Sequence, residues 1–295
     1  MFFLLLAGIL WGTSFVVGKT ALQSVDPFML AELRLFVSAL IMAPFMRGAF
    51  ARFPKDMMGH ACAIALLNAA CFGMQMWGLS LTSASSAVAM LGVEPLSVII
   101  AGYLFFGSSI TRANVALCVL AGAGVWVIVG APAGSGVNVW GCAVILASTF
   151  ATAVWVHISK KILFRVNSVT FTIVSSALSV VTGLPMALLF ASDLSIPSSI
   201  AVWGQIAYLS TFCSLLALAL WNKGLARSNP NYGGVFFAVE PALGVVLSVA
   251  FLGDPLTVPI AVGLSMVLLA TALTFVLPSA KADPKPRAKK AQGAS

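Results

Sequence analysis

Charge is what this sequence has least of. Only 8% of its 295 residues are Asp, Glu, Lys or Arg, while 60% are hydrophobic, a balance that excludes an ordinary soluble domain of this length. Histidine is nearly missing as well, with His60 and His157 standing alone. The five cysteines, Cys62, Cys71, Cys118, Cys142 and Cys213, all fall inside apolar runs without CxxC spacing. No metal centre can be assembled from that set, and the cysteines read as small packing residues. Catalytic motifs are equally scarce. Gly134-Ser135-Gly136 resembles a linker rather than a nucleophile elbow, since no strand precedes it and neither histidine is near. No HExxH occurs. The chain is therefore read as no enzyme, with no cofactor and no metal. The opening MFFLLLAGILWG lacks the basic start of a secretory signal and reads as a retained first span.

What remains is a series of long apolar stretches. Runs of about 17–25 residues with the charge gathered between them indicate membrane helices, not barrel strands. Ten spans are expected, at roughly 2–19, 28–46, 60–79, 84–106, 111–129, 138–160, 168–191, 203–222, 232–252 and 258–278. Beyond them, SAKADPKPRAKKAQGAS reads as a disordered basic tail over 279–295, not as a nucleic-acid-binding segment.

The basic residues order these spans across the bilayer. Arg47, Arg52 and Lys55 follow span two, Arg112 follows span four, Lys160, Lys161 and Arg165 end span six, and Lys223 and Arg227 follow span eight. Lys19 stands opposite them. Loops rich in Lys and Arg stay on the cytoplasmic side, so both termini are expected in the cytoplasm of a bacterial inner membrane protein. The net charge of +8 is mostly this topology signal.

The sequence also repeats itself. SSAVAMLGVEPLSVIIAGYLFFG, ending at Gly107, is echoed by GGVFFAVEPALGVVLSVAFLG, ending at Gly253. Laying Glu94-Pro95 on Glu240-Pro241 aligns Phe105 with Phe251, Gly107 with Gly253 and Thr111 with Thr257, without a gap. Two units of five spans follow, 1–130 and 137–278. Because five is odd, the second unit must enter the membrane from the other face, which makes the repeat inverted. The expected fold is thus an all-α integral membrane protein of ten helices in two inverted five-helix repeats. Such repeats recur in secondary transporters that open a central site to alternate sides.

Glu94 and Glu240 lie near mid-span, where a carboxylate needs a partner, a water-filled cavity or a proton. The proline after each removes a backbone donor and frees the carbonyls of Leu91 and Phe237. Two readings stand side by side: a ligand or proton site, and a packing hydrogen bond to another helix. Arg34 and Glu32 are the other charges inside a span. Arg34 could neutralise Glu94 or bind a substrate carboxylate, or it could snorkel to the outer surface. Polar stripes at helical spacing mark inward faces: Asn68, Cys71, Gln75 and Gly78; Ser148, Thr152, Trp155 and Ser159; Thr172, Ser175, Ser179 and Thr182; Ser210, Ser214 and Trp221. Trp77, Tyr208 and Tyr232 fit a cavity or a membrane surface equally. Gly8, Gly12, Gly122, Gly124 and Gly263 suit close helix contacts. The substrate-cavity candidates are Trp11, Gln75, Glu94, Trp155, Tyr208, Trp221 and Glu240, with Arg34 as a charge partner.

WGTSFVVGK at Trp11–Lys19, Arg34, the Glu94-Pro95 block and its echo ending in FLGDPLT together resemble the EamA-type members of the drug/metabolite transporter superfamily. The resemblance runs from the N-terminus to about Pro278. It implies a central cavity built by spans one to four and six to nine, with spans five and ten outside. The bacterial amino-acid exporters, those for aromatic amino acids among them, are similar in character. Two departures stand out. Ser108 occupies the place where the family often has an acidic residue, kept here as Asp254, and span seven has Val174, Ser175 and Ser176 where a basic partner to Arg34 would stand. The expected activity is export of small amphipathic metabolites, amino acids first, by alternating access. Export of cationic drugs or another small metabolite is the alternative. The expected partners are the substrate and the lipid bilayer, with protons as candidate coupling ion against unaided diffusion.

Overall fold

The structure is a computed structural model that describes residues 2–132, 134–227 and 239–276; the basic tail and Tyr232 lie outside them. Every regular element among the described residues is helical. In order these are α1 (Phe2–Ala21), α2 (Pro27–Arg52), a short 3₁₀ turn (Lys55–Met57), α3 (Met58–Leu81), α4 (Ala84–Leu91), α5 (Glu94–Phe106), α6 (Arg112–Val129), α7 (Val139–Leu163) and α8 (Ser168–Phe190). Then come α9 (Ile200–Tyr208), a π-helical stretch (Leu209–Leu216), α10 (Ala217–Arg227), α11 (Val239–Leu247) with a second π stretch (Ser248–Leu252), and α12 (Val258–Val276). Among the described residues, eight continuous helical stretches are long and apolar enough to cross a membrane, and Val239–Leu252 and Val258–Thr274 are shorter apolar helices.

Local chemistry fixes the ends. Asp26 caps α2 by accepting from the Phe28 and Met29 amides, with Pro27 at the first helical position. Ser83, Thr111, Asn138 and Asn167 cap α4, α6, α7 and α8 in the same manner. The matched glycines Gly107 and Gly253 both take the left-handed conformation, φ 67°, that ends α5 and the second π stretch. α2 and the α9–α10 span overrun the stretches read from hydropathy. A hydropathy window measures bilayer thickness, and a capped helix continues past it into water.

Span four is where sequence and structure differ most. It is two helices, with the break at Gly92 and Val93 just ahead of the Glu94-Pro95 pair. Pro95 lies in the first turn of α5, where its missing N–H costs nothing. The Gly92 carbonyl left over at the break accepts from Thr271 Oγ1 of α12 at 2.8 Å. The break thus adds Gly92 to the carbonyl that Pro95 leaves over, and Phe237 falls outside the described residues.

The helices pack in a pattern that maps onto itself when the two sequence halves are exchanged. α3 lies on α7 and α1 on α10; α5 lies on α7 and α11 on α1; α2 meets α8, α4 meets α11 and α6 meets α12. The last pair touches through glycine. A Cβ on Gly124 would come within 2.7 Å of the Gly263 carbonyl, so only hydrogen fits between the backbones. Gly122 faces open space. Gly12 packs on α11, where a Cβ would meet the Glu240 carbonyl at 3.2 Å.

Connections fall at two ends. At one, Lys19, Thr82, Ser83, Gly136 and Asp254 come together: the Ser83 amide donates to the Gly136 carbonyl at 2.8 Å, and the Ser85 amide to Asp254 Oδ2 at 2.7 Å. At the other, Arg165 pairs with Asp56 at 2.7 Å and His157 stacks on Phe106, centroids 4.5 Å apart. Both histidines have partners there: His157 meets the Val98 carbonyl at 3.0 Å, and His60 meets Lys161 Nζ at 3.0 Å.

Replacing Gly124 or Gly263 by valine should separate α6 from α12 and lower stability by roughly 1–3 kcal/mol, read as a fall in the melting temperature of detergent-purified protein. Gly122→Val on the open face should leave it unchanged.

Candidate functional site

A cavity of ≈ 50 Å³ lies at the centre of the bundle. α1 contributes Trp11 and Ser14, α3 contributes Asn68, Cys71, Phe72 and Gln75, and α7 contributes Thr152 and Trp155. Glu94 opens α5, Leu218 lies on α10, and Glu240 lies on α11. The two carboxylates come from the matched positions of the repeat. So do Phe72 and Leu218, which coincide when Glu94 is laid on Glu240. The walls are aromatic and apolar, with a few polar groups converging, the usual make-up of a small-molecule site. The space is roomy enough for a few waters.

The helix break puts Glu94 there. As the first residue of α5 it follows two non-helical positions, and the turn aims its side chain inward beside Thr152. Thr152 Oγ1 in turn donates to Cys71 Sγ at 3.6 Å. Glu240 lies within electrostatic reach of both Glu94 and Arg34.

Arg34 does not snorkel. It is 1% exposed, its Nε donates to Ser214 Oγ at 2.9 Å, and its guanidinium lies over the Phe72 ring at 4.1 Å from the centroid. Phe72 therefore stands between Arg34 and the cavity, and Arg34 supports the wall from behind. The π stretch makes this possible. Its altered turn presents the Cys213 carbonyl, which accepts from Trp11 Nε1 at 2.9 Å and from Arg34 at 3.5 Å. Glu32, two residues away, faces elsewhere: its buried Oε2 occupies the space a Cβ on Gly183 of α8 would fill.

Trp11, Gln75, Glu94, Trp155 and Glu240 are thus brought together at the cavity, whereas Tyr208 and Trp221 are not. Tyr208 hydrogen-bonds Thr13 at 2.9 Å, and the buried Trp221 packs on Trp11 with ring centroids 5.4 Å apart. Trp221 thus braces Trp11, and Tyr208 ties α9 to α1 through Thr13. Of the polar stripes, Asn68, Cys71, Gln75, Thr152 and Trp155 reach the cavity, and Gly78 packs against Ile145 and Gly141 of α7. The Thr172 to Thr182 stripe serves helix contacts, with Ser179 accepting from Asn68 at 3.1 Å. Sequence reasoning passed over Ser14, Phe72 and Leu218. Ser14 follows Trp11 by one helical turn, and Phe72 and Leu218 stand at matched positions, which is the signal that could have found them.

An all-helical bundle of membrane-length helices around a polar and aromatic cavity marks a multi-pass membrane protein with a candidate small-molecule site. The EamA-like transporter family matches residues 1–130 and 139–276, and the chain belongs to that family. It is 36% identical over 107 residues to an uncharacterized protein of Haemophilus influenzae, a stretch covering 36% of this chain and 84% of that protein. It is 34% identical over 99 residues to an uncharacterized transporter of the same organism, covering 34% of this chain and 58% of the relative. Against the uncharacterized transporter YyaM of Bacillus subtilis it is 29% identical over 104 residues, covering 35% of this chain and 33% of that one. One solved crystal structure superposes with a TM-score of 0.67 at 21% identity over 93% of this chain and 96% of that one, a likeness of fold.

Removing Arg34 as Arg34→Met should leave Ser214 Oγ without its arginine donor and the Cys213 carbonyl with Trp11 alone, and cost roughly 2–4 kcal/mol of stability. A melt of the detergent-solubilised variant checks this, and Lys in its place should restore only part of the loss because it cannot make the forked contact.

Proposed function

We propose that the protein exports small amphipathic metabolites, amino acids with aromatic or large apolar side chains before others, from the bacterial cytoplasm by alternating access of two inverted five-helix repeats. The observation that carries the reading is the pairing in one cavity of an aromatic wall, Trp11, Phe72 and Trp155, with the carboxylates Glu94 and Glu240 and the amides of Asn68 and Gln75. An amino acid matches it end for end. Its side chain lies against the rings, its ammonium faces the carboxylates, and its carboxylate takes hydrogen bonds from the amides.

The inverted arrangement of the units 1–130 and 137–278 is supported by where matched residues end up. Asp254, just after Gly253, lies against the first turn of α4, whereas Gly107 lies past the last turn of α5, at the other end of the same span. Ten crossings with both termini in the cytoplasm agree with the basic residues Lys55, Lys161, Arg165 and Arg227 near the end opposite Lys19.

The second reading is export of a lipophilic organic cation. It is favoured by the acidic excess of the cavity, since Arg34 is held behind Phe72 and both carboxylates line the space.

Purified protein in liposomes should give saturable flux of labelled phenylalanine, tyrosine or tryptophan. Trp11→Ala and Glu94→Gln should each cut that flux by about tenfold or more, the scale of losing one well-packed ring or one charge-assisted hydrogen bond. Absence of flux for every amino acid, with saturable flux of a lipophilic cation, would transfer the assignment to the second reading. An imposed pH gradient that accelerates flux in the parent but not in Glu94→Gln or Glu240→Gln would mark that glutamate as the proton-coupling group, whereas indifference to the gradient would mean facilitated diffusion.

A further inference from the structure

Packing divides the bundle differently from sequence. α1 opens the first half, yet it lies chiefly against α10 and α11 of the second and only lightly against α3 and α4. α7 opens the second half, yet it lies chiefly against α3 and α5 of the first and only lightly against α10. The halves have exchanged their leading helices. One body is α1 with α10 and α11, and the other is α7 with α3, α4 and α5.

The cavity follows the seam between these bodies, with Trp11, Leu218 and Glu240 on one side and Phe72, Glu94 and Trp155 on the other. At mid-seam α4 crosses α11 closely. Val88 fills the space over Gly244, where a Cβ would stand 2.6 Å from Val88 Cγ1, and Pro241 faces Gly92. A tight glycine crossing in the middle of a seam is a pivot about which the two ends can open in turn.

At each end a lysine reaches across the seam. Lys19 of α1 donates to the carbonyls of Leu79 and Thr82 at the end of α3, each at 2.7 Å. At the opposite end Lys160 of α7 donates to the carbonyl of Leu225, at the end of α10. Leu79 and Leu225 coincide when Glu94 is laid on Glu240. Each ammonium therefore occupies the negative end of a helix that belongs to the other body, a contact made only while that end of the seam is closed. The two ends also differ in charge. Asp254 crosses the seam beside Lys19 to accept from the Ser85 amide at the start of α4, 2.7 Å away, and its charge is felt by Lys19. Its counterpart in the other half is Ser108, which carries no charge.

From this we infer that Lys19 and Lys160 are reciprocal clasps that hold the two ends of the substrate cavity shut, and that Asp254 weights the pair toward closure at the Lys19 end. Both clasps are engaged here, so both ends of the seam are held together. The inference rests on the alternating-access reading and adds to it the residues that hold each end.

Cys71 in the cavity wall supplies the probe. In protein whose other four cysteines are replaced by alanine, the rate at which a membrane-impermeant thiol reagent modifies Cys71 is measured in vesicles of each orientation. Lys19→Met and Asp254→Asn should raise the rate from the Lys19 end by about tenfold, the scale of a lost charge-assisted contact, and leave the opposite end unchanged or slower. Lys160→Met should do the reverse. Lys19→Arg, which can still donate to both carbonyls, should return the rate toward that of the parent. A general loosening of the fold would raise both ends together and would overturn the clasps, as would rates that ignore Lys19 and Lys160. Equal, substrate-independent modification from both ends in the parent would instead overturn alternating access itself.

Discussion

In hydrocarbon a polar group has no water to fall back on, and this constraint decides how the interior of the bundle is arranged. Two irregularities in the helices are matched by donors from a neighbour. The break in span four exposes the Gly92 carbonyl, and Thr271 of α12 donates to it. The π stretch presents the Cys213 carbonyl, and Trp11 and Arg34 take it up. These irregular turns are also what aim Glu94 and Trp11 into the cavity. A straight α4–α5 or α9–α10 would satisfy its own backbone and leave nothing to anchor either side chain. Backbone satisfaction and site construction are one event at each place.

That coupling explains how much could be read in advance. Hydropathy and the position of lysine and arginine report depth and direction, so the membrane helices and the doubled Glu-Pro block were legible from the residues alone. Depth is silent on rotation about the helix axis. Trp221 and Trp11 are both aromatic and inward-turned, but one rotation places Trp11 on the cavity and sets Trp221 behind it. Arg34 was harder still. Its acceptors are a serine and a backbone carbonyl on a stretch whose π geometry has no sequence signature, so a surface-seeking arginine was as reasonable as a buried one. The exchange of α1 and α7 between bodies was also hidden, because it depends on which of several similar apolar faces pack together.

Duplication produced matching contacts, and divergence then made some of them unequal. α2 holds the second half through charged Arg34 on Ser214, whereas the matching approach of α8 to α3 uses neutral Ser179 and Asn68. Asp254 and Ser108 differ in the same sense. An alternating device with two equal halves would favour neither of its open states, and its direction would rest on substrate gradients alone. On the proposed reading, charged contacts in one half where the other has neutral ones are what would give the two states different energies. The size of that difference is limited, since a bias of more than a few kcal/mol would leave one state too rare to take part in a transport cycle. A lysine at each end with one added carboxylate is within that limit. On the alternating-access reading proposed above, Lys19 and Lys160 each hold one end, and Asp254, whose counterpart Ser108 is uncharged, ranks the two states.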